Sequence, residues 1–110
     1  MFRIAPAPTF DAEVLLTVPG APERAALALT FRHRGRKALR DWIDRAKSAA
    51  SDAAYLGEVI EGWKGVEDAD GRPLPYSAEA LAQLLDAYPA SGAELFDQYL
   101  DALTRAREKN

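Results

Sequence analysis

The chain contains no cysteine. That excludes disulfides, thiolate catalysis and cysteine-based zinc sites, and it is compatible with a reducing cytoplasm. Histidine occurs once, as His33 between Arg32 and Arg34. There is no G-x-S-x-G elbow for a nucleophilic serine and no G-x-x-x-x-G-K-[ST] phosphate loop. No apolar run approaches the roughly 18 residues of a membrane span. The opening segment, MFRIAPAPTF, lacks a long apolar stretch, so no secretory signal is expected. Positive charge is also in short supply: the formal net charge is −3. A net-acidic chain is poorly matched to general nucleic-acid binding.

What remains is an ordinary globular composition, 48% apolar and 28% charged over 110 residues. That length suits one hydrophobic core, so residues 1–110 are read as a single domain. The charge is unevenly placed. Residues 1–50 hold nine Lys/Arg against five Asp/Glu, and residues 51–110 hold five against twelve. The split suggests an acidic face and a smaller basic one.

Hydrophobic periodicity changes along the chain. Phe10, Ala12, Val14, Leu16 and Val18 alternate with mostly polar neighbours, and Leu27, Leu29 and Phe31 do so again. The intervening PGAPER reads as a turn, so residues 1–34 are expected to form an extended start plus an antiparallel β-hairpin. Helical spacing follows. Leu39, Trp42, Ile43 and Ala46 make one stripe; Tyr55, Leu56, Val59, Ile60 and Trp63 a second. Leu81, Leu84, Leu85 and Tyr88 make a third, with Ser77 as N-cap and Pro89 as terminator. Leu95, Phe96, Tyr99, Leu100 and Leu103 make a fourth, before a charged tail, RAREKN. The expected fold class is α+β: a hairpin, then about four helices packed as a small bundle over residues 35–110.

GWKGVEDADGRPLPYS, residues 62–77, joins the second and third helical patterns. Its Asp-x-Asp-Gly invites comparison with a calcium-binding loop. With Gly71 at loop position 6, Asp70 falls at 5 and Asp68 at 3, but Val66 occupies position 1 and Ser77 position 12. The first ligand and the closing bidentate Glu are both missing. A shaped connector fits better: Asp70-Gly71 suits a turn with positive φ, Pro75 fixes the chain ahead of Ser77, and Trp63 buries its ring while its N–H finds a partner. No metal and no cofactor is expected.

Two further groups carry charge or apolar surface. Arg32, Arg34, Arg36, Lys37 and Arg40 cluster where a strand passes into a helix. They are candidates for electrostatic contact with an acidic protein surface, or with the acidic half of the chain. No aromatics interleave them for base stacking. Asp97 with Asp101, and Glu58 with Glu61, have the spacing of acid/base pairs, yet solvated helix faces produce such pairs routinely; no catalytic residue is assigned. The stripe Leu95, Phe96, Tyr99, Leu100 and Leu103 is mainly core by default, with its exposed remainder a candidate partner-binding surface.

From Tyr55 to Leu103 the sequence resembles the tail assembly chaperones of long-tailed bacteriophages and prophages. The resemblance rests on Gly62, Trp63, Gly65, Val66, Gly71, Pro73, Pro75, Tyr76, Ser77, Leu84, Leu85, Tyr88 and Pro89 in order, and the preceding strand pair with FRHRGRKAL also fits that layout. It implies a non-catalytic cytoplasmic protein of the infected cell. Such a protein holds the long, helical tape-measure protein soluble during tail morphogenesis, with the tail tube protein a further candidate partner. Separately from the resemblance, the broad stripe from Leu95 to Leu103 in so small a domain invites self-association, so a homo-oligomer is a candidate state in the absence of client. Many members are also made in a longer, frameshifted form. The alternatives are a small nucleic-acid-binding or regulatory adaptor using Arg32–Arg40, and a structural tail subunit.

Overall fold

The structure is a computed structural model that describes residues 1–105; Ala106 to Asn110, most of the charged tail, lie outside the described residues. The alternating segments form β1 (Thr9–Leu16) and β2 (Ala25–Arg32). They pair antiparallel, Phe10 opposite Phe31 and Val14 opposite Leu27. The turn between them includes Gly20 at φ 83, a left-handed conformation natural to glycine. One face of the pair is buried: Val14, Leu16, Leu27, Leu29 and Phe31 are all at most 8% exposed. The other face carries Asp11 and Thr30, whose side chains hydrogen-bond across the strands at 2.8 Å.

Helix α1 (Arg36–Lys47) follows, and it buries Trp42 completely. Next is a single short helix, α2 (Asp52–Leu56), whose N-cap Ser51 accepts a hydrogen bond from the Ala54 N–H. Here the expected second helix is corrected. Only its first part is helical; Ile60–Lys64 is a strand, β3, added antiparallel to β2 to give a sheet of order β1-β2-β3. Gly57 ends the helix, and β-branched Val59 and Ile60 with Gly62 disfavour its resumption. The misleading spacing has a geometric origin. Phe31 pairs with Ile60 and Thr30 with Gly62, so Glu61 is an unopposed bulge residue. The bulge brings Ile60 and Trp63, three apart, opposite the inward-facing Phe31 and Leu29. A three-residue interval thus arises within a strand.

Helices α3 (Ala78–Ala87) and α4 (Ser91–Thr104) complete the chain. Ser77 caps α3 by accepting from the Ala80 N–H at 3.0 Å, and Tyr88 and Pro89 terminate it. The α+β class and the four helices agree with the expectation; the third strand is the addition.

All four helices share one core with the buried face of the sheet, around Trp42, Tyr99 and Phe31, with α4 lying directly against β1. Tyr99 is the point of convergence. Its ring lies 5.0 Å from Phe31, 5.1 Å from Trp42 and 6.4 Å from Phe10. Its hydroxyl donates to the Arg32 carbonyl at 2.7 Å, fixing α4 to the end of β2. The Trp42 indole N–H donates to the Tyr55 carbonyl at 2.8 Å, fixing α1 to α2. Both aromatics thus enter the core with their polar atoms satisfied. Tyr99→Phe keeps the ring and strips the Arg32 carbonyl of its donor. We expect it to lower unfolding free energy by about 1–2 kcal/mol, read from urea midpoints at unchanged slope.

Candidate functional site

The 62–77 segment holds itself together. Gly65, at φ 76, turns the chain out of β3, and Gly71, at φ 77, sits in the tip. Across that tip Glu67 bridges Pro73, and the Leu74 N–H donates to the Val66 carbonyl at 2.8 Å. One carboxylate oxygen of Asp68 accepts from the Asp70 N–H at 2.9 Å and the Arg72 N–H at 3.0 Å. Asp68 is therefore a local turn-builder, occupied by its own backbone. The half-buried Trp63 donates its indole N–H to the Leu74 carbonyl at 2.8 Å and meets the Tyr76 ring edge-on at 5.1 Å. The segment is a rigid miniature hairpin between β3 and α3.

The basic cluster divides in two. Arg32 and Arg34 are half-buried, and both donate to the Glu58 carbonyl, at 3.3 and 3.0 Å. They tie the end of β2 to the turn before β3. Arg36, Lys37 and Arg40 are exposed on the first turns of α1. That end of the helix has no acidic residue, and Gly35 contributes no side-chain cap. Three cations thus stand at the positive end of a helix dipole, where anions are favoured. Lys37 is partly compensated by Asp41 at 3.0 Å. On a helical wheel Arg36, Arg40, Ile43 and Lys47 follow one another at four-three-four spacing along one side of α1.

One carboxylate of each spaced pair is engaged by a cation. Glu58 pairs with Arg45 at 2.7 Å, and Asp101 with Arg105 at 3.7 Å. Glu94 is claimed by Thr17, which donates through its N–H at 2.8 Å and its hydroxyl at 2.6 Å. Burial pushes the Glu94 carboxyl upward, but the two Thr17 hydrogen bonds and the nearby Arg24 outweigh it and hold the group below its ordinary range. Among the described residues no three His, Asp or Glu come together as a metal-binding group.

The α4 stripe is resolved into core and surface. Leu95 and Tyr99 are 1% and 0% exposed, which makes them core residues. Phe96, Leu100 and Leu103 are only partly buried. Phe96 stacks on Trp42 at 5.3 Å and forms one wall of an open groove of about 480 Å³ between α1, α2 and α4. Its apolar lining comes from Ile43, Ala46, Tyr55, Ala93 and Phe96, with Lys47 and Asp97 at the rim. Ile43, Ala46 and Tyr55 belong to stripes that spacing alone assigns to core. Their shared opening depends on how three helices diverge. At the groove edge the Tyr55 hydroxyl donates to Asp52 at 3.1 Å. Burial first, then the Asp52 charge and hydrogen bond, push that phenol up to about 12. Burial likewise pushes Tyr99 up to about 12, against the opposing influence of Arg34.

A family model described as phage tail assembly chaperone matches the chain over residues 1–110. No curated protein and no solved structure matches.

Two outcomes are expected. Asp68→Ala should destabilise by about 1 kcal/mol through loss of its turn hydrogen bonds. Millimolar calcium should leave the melting temperature of the native chain unchanged. A calcium-dependent rise abolished by that substitution would contradict this. Second, Tyr55 and Tyr99 retain their protons in the folded state above the ordinary tyrosine value near 10. Above that pH the unfolded chain binds fewer protons, so stability is full below about pH 10 and falls as pH rises toward 12. The fall should be smaller in Tyr99→Phe, measured by urea titration at stepped pH.

Proposed function

The chain belongs to the phage tail assembly chaperone family, and on that basis we propose that it binds apolar helical segments of the tape-measure protein and keeps them soluble while a tail is built. The observation that carries this reading is the groove between α1, α2 and α4. It is apolar and open, with Lys47 on α1 and Asp97 on α4 at its rim, and the exposed Arg36 and Arg40 lie further towards the N-terminal end of α1. An amphipathic helix recognised this way presents apolar residues at i, i+3, i+4 and i+7 to the groove. Phe96 forms the wall of the contact surface, and Leu100 and Leu103, further along α4, extend it. Leu95 and Tyr99 support it from the core.

The exposed cations contribute rate and selectivity more than affinity. A client segment with acidic residues beside its apolar face would be steered by Arg36, Lys37 and Arg40, and the steering would weaken with salt. Arg32 and Arg34 instead hold the strand end from which α1 departs. The action is pure binding, without covalent chemistry, and its setting is the cytoplasm of the host cell. A tail tube protein presenting similar apolar surface is a second candidate partner. Whether a prophage supplies the protein does not change the physics of the groove.

Ala93 offers a clean test, because it is exposed at the groove and replaceable without opening the core. Ala93→Glu should leave circular dichroism and urea midpoint near those of the parent chain. On co-expression with the tape-measure protein, it should lower the soluble client fraction several-fold. The triple variant Arg36→Glu, Lys37→Glu, Arg40→Glu should slow association and flatten its salt dependence. A folded Ala93→Glu chain that keeps the client fully soluble would rule out this groove. Salt-dependent DNA binding lost in the triple variant would point to a nucleic-acid adaptor.

A further inference from the structure

Strand β3 covers β2 only in part. Its pairing runs from Phe31 down to Ala28, which lies opposite Lys64. At Gly65, with φ 76, the chain turns away. Strand β2 continues past that point through Leu27, Ala26 and Ala25, paired with β1 on one side and with no strand on the other. Strand β1 fixes which way the backbone faces there. Leu15, opposite Ala26, donates its N–H to Gln98 and accepts from Gln98 at its carbonyl. Leu15 and Ala26 are therefore a non-hydrogen-bonded pair, and Ala26 turns its own N–H and carbonyl away from β1. Val66 would face them if β3 ran on, but the Val66 carbonyl accepts from Leu74 instead. Among the described residues neither backbone group of Ala26 has a hydrogen-bond partner. Ala26 is exposed, so this short length of sheet edge stands open.

A cavity of about 310 Å³ lies at the same gap, within the range of sites that enclose apolar groups. Leu16 and Leu27 line it from the sheet, Val66 from the loop after β3, and Leu84 and Tyr88 from the end of α3. Glu67 is the one charged residue in its lining. Its carboxylate is exposed and, among the described residues, takes part in no ion pair. These features select an occupant. A helix uses its backbone groups internally and cannot answer Ala26. An extended segment can, by adding as a strand. The residue set opposite Ala26 would point outward as Ala26 does, and its two neighbours would point inward with Leu27, toward the cavity. Apolar side chains suit those two positions, and the lone Glu67 calls for a cation beside them.

We infer that this gap receives an extended partner segment of pattern apolar-x-apolar flanked by Lys or Arg, added antiparallel to β2 at residues 25–27 in the place that β3 vacates. Main-chain hydrogen bonds to Ala26 set its register, the cavity selects its two apolar side chains, and Glu67 selects its charge. The site shares no lining residue with the groove between α1, α2 and α4. It recognises strand where that groove is suited to helix. The test uses a synthetic peptide and needs no client, so its failure leaves the client reading standing.

The probe is acetyl-Lys-Val-Thr-Val-Lys-amide, titrated into the full chain and followed by nuclear magnetic resonance. Saturable shifts are expected at Ala26, Leu27, Val66 and Leu84, with slower exchange of the Ala26 amide hydrogen. The counterpart with Glu in place of both Lys should bind more weakly by about two- to fivefold, the worth of an exposed ion pair. Glu67→Lys should reverse the order of the two peptides. Ala26→Pro removes the edge donor and should lose the peptide; because that N–H takes no part in the β1 ladder, the urea midpoint reports whether the fold is kept. If that variant unfolds, Glu67→Lys, at an exposed position, decides alone. A probe that moves none of these resonances at millimolar concentration overturns the inference. So does a peptide order indifferent to Glu67→Lys. So does an amphipathic helical peptide that moves the same resonances more strongly, since the occupant is then a helix. Protection of the Ala26 amide that grows with protein concentration, with no peptide present, makes the occupant a second copy and overturns it equally.

Discussion

The Tyr99 hydroxyl, donating to the Arg32 carbonyl from a side chain with no solvent exposure, is the contact on which the arrangement turns. It joins the last helix to the middle strand at the point where that strand stops being a strand. On the other side of the same residue, the Arg32 N–H donates to the Val59 carbonyl at 2.7 Å, just ahead of the third strand. One residue is thus held from two directions. The ring beneath the hydroxyl meets Phe31 and Trp42, so sheet, α1 and α4 share one aromatic nucleus. Removing the ring would leave three elements without a common partner.

With the nucleus so placed, the helices cannot all bury their apolar faces. A chain of 110 residues has limited interior. Three strands and the inward faces of four helices fill it, and α1, α2 and α4 splay apart at their outer margin. Phe96 marks the boundary: its ring lies on Trp42 within the fold while also facing the groove. Core packing and the groove therefore meet at that side chain. A polar residue at 96 would disturb both, whereas Ala93, one turn earlier, touches only the groove.

Much of this was legible in sequence. The alternation of Val14, Leu16, Leu27, Leu29 and Phe31 named the buried sheet face correctly, because period two has one reading when a turn rich in proline and glycine follows. Ser77, Pro89 and Gly71 were legible as cap, stop and positive-φ turn, because each is decided by local backbone chemistry. Ile60 and Trp63 were not: a bulge at Glu61 set a helical interval inside a strand, and pattern alone cannot distinguish the two. Arg32 and Arg34 resembled Arg36 and Arg40 in composition. Only the tertiary position of the Glu58 carbonyl assigns them to structure. The groove was invisible for a similar reason, since its walls come from three helices whose angles no periodicity encodes.

The edge of β1 is closed by side chains. Gln98 accepts from the Leu15 N–H at 2.8 Å and donates to the Leu15 carbonyl at 2.7 Å, standing in for a neighbouring strand. Glu94 does the same for the Thr17 N–H. These partners are 83 and 77 residues apart, so they become available in a fixed order during synthesis. At about 5–20 residues per second, Leu15 precedes Gln98 out of the peptidyl-transferase centre by roughly 4–17 s. Throughout that interval the strand is made and its edge is bare, and Tyr99 has not yet arrived to complete the nucleus. A ribosome that pauses within α4 therefore holds a half-built sheet with an open edge, the state most prone to pair with a neighbouring nascent chain.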